Sequence, residues 1–166
     1  MVLHLTAGLA AVLRGWAQSA DPRECCGAMV GRGGETSRWI DRLVPLPNVA
    51  AEPWRCYEID STALLDLHRQ RLRPGEQVVG YYHSHPTGDA VPSERDRRAA
   101  WPELSYLIIA VEASSDSSMR SWHLVGERFV EQLLSIEEPA PIEEPGSIGG
   151  TALEGPVAPE VPISRP

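Results

Sequence analysis

The chain has 166 residues, 42% of them hydrophobic, which supports one core of ordinary domain size and is short for two. A net charge of −8 argues against a nucleic-acid backbone or an anionic membrane surface as the main partner, and no apolar run approaches the roughly 18 residues that would span a bilayer. All 15 basic side chains are arginine, and much of the negative charge sits after residue 135, so the body of the chain is only mildly acidic.

Residues 1–20 lack the basic start of a secretory leader and carry Arg14 where the apolar run should end. They read as an amphipathic helix capped by Thr6, with Leu9, Val12, Leu13 and Trp16 on one face and His4 in a tail before it. The strand that carries Glu24 is followed by the turn Gly31–Gly34, and Trp39–Leu46 reads as one or two short strands that end at Pro45 and Pro47. A loop over Asn48–Trp54 leads to Ser61, which caps a helix over Thr62–Leu72; His68 is expected in solvent. The three cysteines, Cys25, Cys26 and Cys56, form no disulfide framework. Cys25 and Cys26 are neighbours on a strand and face opposite ways, so they read as small buried hydrophobes in a reducing cytoplasm.

The next strand opens at Gln77 after Pro74-Gly75, and its β-prone run Val78, Val79, Tyr81 and Tyr82 places His83 and His85 at or just past its end. Residues two apart in a strand point to the same side, so both imidazoles can reach one ion. Pro86 stops the strand, and Gly88, Asp89 and Pro92 are loop residues. Ser93 then reads as a helix N-cap, with Asp96 on the same face of the first turn. If the loop returns that turn to the histidines, His83, His85 and Asp96 become three ligands with Ser93 beside them. Two imidazoles and a carboxylate suit Zn²⁺, and a fourth position left to water is the pattern of a catalytic site.

Leu104–Val111 is a nearly continuous apolar run, as in a central strand buried on both faces. Met119–Val125 alternates as a further strand with His123 half exposed, and Glu127–Leu134 reads as a last strand or a short helix. From Ile136 onward proline and glutamate dominate, and residues 136–166 are expected to be a disordered acidic tail. Strands interleaved with helices indicate a mixed α/β layered fold.

The run His83-Ser84-His85, seven residues, Ser93, two residues, Asp96 matches the signature of the JAMM (MPN+, Mov34-type) metalloprotease family without a gap, and the chain resembles that family over residues 1–135. The resemblance implies a deaminase-like α-β-α sandwich around a mixed sheet and one catalytic Zn²⁺ on His83, His85 and Asp96. It also implies that Glu24 is the upstream general base and Ser93 the hydroxyl that donates to the oxyanion. It further implies an amide substrate at the Gly-Gly tail of a ubiquitin-like protein or, as in small bacterial members, a sulfur-carrier protein from which cysteine or a short extension is released. Such a tail could add to a sheet edge. The alternatives are a small-molecule zinc amidohydrolase or deaminase, and a non-catalytic interaction module of the kind found among family members that lost the ligands. The His-x-Glu and Pro-Cys-x-x-Cys signature of the zinc deaminases is absent, and all the expected ligands are present. Oligomeric state is not legible in the sequence.

Overall fold

The computed structural model describes residues 1–112 and 118–138. Seven strands and three helices follow one another as β1 (Val2–Thr6), α1 (Ala7–Ala20), β2 (Cys26–Gly33), β3 (Ser37–Leu46), α2 (Ser61–Asp66), β4 (Gln77–His85), α3 (Glu94–Ala99), β5 (Ser105–Ala110), β6 (Met119–Val125) and β7 (Arg128–Glu137). The sheet is mixed and closes on itself in the order β1-β3-β2-β4-β5-β6-β7. Strand β1 is parallel to both β3 and β7, and β4 is parallel to β5; the other pairs are antiparallel. Strand β7 links the two ends: Arg128–Gln132 pair with β6, and Leu133–Glu137 pair with β1. These registers put the end of β7 at the same end of the sheet as His85, and put Val2 at the opposite end.

Burial follows the pleat. On β5, Leu107 and Ile109 face one side with Leu3, Leu5, Met29, Val79 and Tyr82, where helix α1 covers them through Leu9, Ala10, Leu13, Trp16 and Ala17. On the other side Ala28, Val30, Val44 and Leu46 are covered by Ala63, Leu64 and Leu67, and Tyr106, Ile108 and Ala110 pack with Ala90 and Trp122. All six residues of β5 are buried, as its unbroken apolar run requires. The helices therefore flank a mixed sheet, in the expected α/β class. Where β2 crosses β4, Gly27 lies so close under the Tyr82 phenol and the Val44 carbonyl that a Cβ would collide with both.

Several boundaries differ from those read in the sequence. Residues 2–6 form a strand, so the helix begins at Ala7, with the Thr6 hydroxyl accepting from the Leu9 amide at 3.3 Å as expected of its cap. His4 belongs to β1, stacked on Trp39 at 4.1 Å and 2.9 Å from a Glu137 carboxyl oxygen. Val12 is 41% exposed, and the buried helix face is Ala10, Leu13 and Ala17. The cap of α2 is Asp60 rather than Ser61, because its carboxylate accepts from the Ala63 amide at 2.7 Å; the helix continues as a wider π turn over Leu67–Arg71. Residues 128–137 are a strand, and it takes in Ile136 and Glu137, which sequence composition had assigned to the tail. The rest of that tail, from residue 139, lies outside the described residues.

Candidate metal centre

Strand β4 carries two histidines to its end because its central position leaves no other conformation: it is paired with β2 on one side and with β5 through six residue pairs on the other. His83 and His85, two apart, share a face, and their Nε2 atoms are 3.1 Å from each other. Pro86 ends the strand. The loop that follows is pinned by the buried Trp122 indole, which donates to the Ala90 carbonyl at 3.0 Å.

That loop delivers Ser93 to the start of α3, where it forms a reciprocal cap. The Ser93 hydroxyl accepts from the Asp96 amide at 3.2 Å, and the Ser93 amide donates to Asp96 Oδ2 at 2.6 Å. The hydroxyl also donates to the same Oδ2 at 2.6 Å. Asp96, 7% exposed, is thereby aimed at the imidazoles, with Oδ1 3.6 Å from His83 Nε2 and Oδ2 3.9 Å from His85 Nε2. One donor atom from each of His83, His85 and Asp96 falls within 4.8 Å of the others. Ligands about 2.0–2.1 Å from a tetrahedral Zn²⁺ stand about 3.3 Å apart, so the donor set fits that ion with little movement.

Protonation also suits a cation. The Asp89 carbonyl, 2.8 Å from His85 Nδ1, holds the ring proton there and leaves Nε2 as a lone pair. Burial and the neighbouring His83 charge lower the pKa of His85, against the opposing pull of Asp89 and Asp96, which favours the neutral ligand form. Burial alone would raise the Asp96 carboxyl, but the charge of His83 and the hydrogen bonds from Ser93 outweigh that and hold it below the ordinary range.

Glu24 lies just before β2 rather than within it, and it is 6% exposed. Its backbone is fixed on three sides. Its amide donates to the Pro53 carbonyl at 2.6 Å, its carbonyl accepts from Asn48 Nδ2 at 3.0 Å, and the next amide, of Cys25, donates to the Ser84 hydroxyl at 2.8 Å. Burial first, then the Asp96 charge, push the Glu24 carboxyl up to about 8, and Arg95 opposes them. A cation among the imidazoles would lower it again. Cys26 pairs with His83, and the Cys25 backbone is bonded both ways to Ser84, so Glu24 follows on alongside the end of β4 that carries the donor set.

The structure thus gathers the expected residues: His83, His85 and Asp96 converge, Glu24 flanks them, and Ser93 is bonded to Asp96 with its hydroxyl hydrogen directed there. The sequence reading passed over three neighbours. Asn48 uses its whole amide, accepting from the Ala50 and Glu58 amides at 3.0 Å and donating to the Glu24 and Cys56 carbonyls. Ser84, between the histidines, ties β4 to Glu24's neighbour. Tyr57 stacks on His83. Only Asn48 carried a signal, as an Asn directly after a proline in a loop.

The chain is 38% identical over 117 residues to a desampylase of Haloferax volcanii, covering 70% of this chain and 80% of that one. It is 35% identical over 112 residues to a probable TtuB-protein conjugate cleaving protease of Thermus thermophilus, covering 68% and 72%. It is 28% identical over 138 residues to a CysO-cysteine peptidase of Mycobacterium tuberculosis, covering 82% and 92%. Residues 6–125, which include Glu24 and all three metal-donor residues, match the family model for prokaryotic homologs of the JAB domain, and the chain belongs to that family.

Proposed function

We propose that the protein is a zinc peptidase that hydrolyses an amide bond at the C-terminal Gly-Gly tail of a ubiquitin-like or sulfur-carrier protein, freeing cysteine, a short extension or a conjugated amine. The observation that carries this reading is the convergence of His83, His85 and Asp96 beside a buried carboxyl, Glu24, whose pKa is raised to about 8. The names of the relatives, a conjugate-cleaving protease and a carrier-cysteine peptidase among them, support the substrate class.

His83, His85 and Asp96 would hold the ion, which when bound lowers the pKa of a water toward about 7 and polarises the scissile carbonyl. Glu24 accepts the proton of the attacking water and returns it to the departing amine. Ser93 orients Asp96, and when its hydroxyl turns away from Oδ2 it can donate to the oxyanion; loss of such a donor costs about 10²- to 10³-fold in rate. The glycines of an extended tail would permit close approach to the ion.

The test is incubation of the zinc-loaded protein with carrier proteins bearing a one-residue C-terminal extension or an isopeptide-linked amine, with and without chelator, read by intact mass. Chelator-sensitive loss of the extension or the amine is expected. Intact substrates of both kinds would remove the proposal.

A further inference from the structure

His83 is the most buried of the three metal-donor residues, at 1% exposure, yet its outer ring nitrogen, Nδ1, has no hydrogen-bond partner among the described residues. His85 differs, since the Asp89 carbonyl grips its Nδ1. A metal-binding imidazole is ordinarily oriented through its outer nitrogen, and losing that restraint weakens metal binding about 10- to 100-fold. Something else must therefore stop the His83 ring from turning about its side-chain bonds. The group against its face is Tyr57, with ring centroids 4.4 Å apart and planes inclined by 26°.

Tyr57 is itself held by the peptides on either side. The Cys56 carbonyl accepts from Asn48 Nδ2 at 3.2 Å, and the Glu58 amide donates to Asn48 Oδ1 at 3.0 Å. The Glu58 carbonyl accepts from the Val49 amide at 2.8 Å, so the loop closes around Tyr57 and cannot carry it away without breaking these bonds. We propose that Tyr57 is a positioning residue for the metal centre: the flat face of its ring fixes the His83 imidazole so that Nε2 points at the ion, in place of the outer-nitrogen hydrogen bond. This rests on the metal centre proposed above. What matters is then the aromatic face and not the hydroxyl.

The test measures Zn²⁺ affinity of the full chain by competition with a chromogenic chelator, and the visible absorption of the Co²⁺-substituted protein as a report on ligand geometry. Tyr57→Phe and Tyr57→Trp should bind Zn²⁺ within about twofold of the parent and keep its Co²⁺ spectrum. Tyr57→Leu should bind about 10-fold more weakly, with a changed spectrum, while the metal-free melting curve stays that of the parent. Should leucine prevent folding, Tyr57→Gln reads the same loss. Parental affinity and spectrum in the leucine or glutamine variant would overturn the inference, as would a phenylalanine variant that loses as much as leucine. Failure of the parent chain to bind one equivalent of Zn²⁺ would instead remove the metal centre itself.

Discussion

Glu24 is the residue on which protonation, stability and chemistry meet. Its carboxyl is raised from 4.5 to about 8, so the metal-free folded state holds the proton more tightly than the unfolded chain does. Its contribution to stability is therefore full below the unfolded value and is lost as the pH climbs from 4.5 to about 8. Chelator-treated parent protein should lose about 2–3 kcal/mol relative to Glu24→Gln over that range. Denaturant melts at several pH values check this, and a constant difference between the two proteins would contradict it. With Zn²⁺ bound, the same Glu24→Gln chain should keep its metal and lose about 10²- to 10⁴-fold in turnover. His85→Ala or Asp96→Ala should lose metal first. Metal analysis beside activity separates the two cases, and a fully active Glu24→Gln protein would remove the assigned role. At this scale the shared side of His83 and His85 was legible because residue spacing sets it in a strand, whereas the return of Asp96 to them was implied by the family signature. The anchors of Glu24 were not legible, because Asn48, Pro53 and Ser84 reach it from separate parts of the chain.

Among the elements, the connection between β3 and α2 does most to hold the site without contributing a metal donor. Asn48 closes it and fixes Glu24 with a single side-chain amide. Asn48→Ala leaves four backbone groups short of a partner, three of them half-buried, and it should cost about 1–3 kcal/mol in stability. It should also lower turnover at unchanged zinc content, because Glu24 loses an anchor while the three metal donors keep theirs. Equal kinetics at full zinc loading would show that the other bonds to Glu24 suffice. Most elements were legible from alternation and caps, and the boundaries that moved have local causes. The apolar run Val2–Leu5 joins the helix pattern without a break, and only its pairing with β3 and β7 makes it a strand. Asp60 outcompetes Ser61 as the cap because its carboxylate is the group that reaches the Ala63 amide. Strand β7 is ambiguous in sequence because Val130, Leu133 and Ile136, all exposed and divided between its two faces, stand among charged residues and break a clean alternation.

In the whole molecule, β7 is the piece that makes the sheet a ring. A chain ending after Glu138 should keep the fold and the metal centre. One ending after Gln132 removes all five residue pairs with β1 and leaves that strand's backbone unpaired on one side. The shorter chain should unfold at lower denaturant and associate through the opened edge, which size-exclusion chromatography and equilibrium melts would reveal. A monomeric shorter chain of parental stability would show that the ring closure is dispensable. This closure could not be read from the sequence, since β1 and β7 lie at opposite ends of the described chain and parallel pairing leaves no turn motif between them. The interleaving of strands and helices carried the mixed α/β class, the family signature implied the α-β-α arrangement, and the coordinates supplied the ring.

The direction of β7 has a practical corollary for anyone handling the protein. It runs toward the end where His85 sits, whereas Val2 starts at the other. A bead, surface or fluorophore joined ahead of Val2 leaves the end that carries the candidate metal centre facing open solution. The same attachment placed soon after Glu138 brings its linker out on the rim where His85 and the candidate metal centre lie.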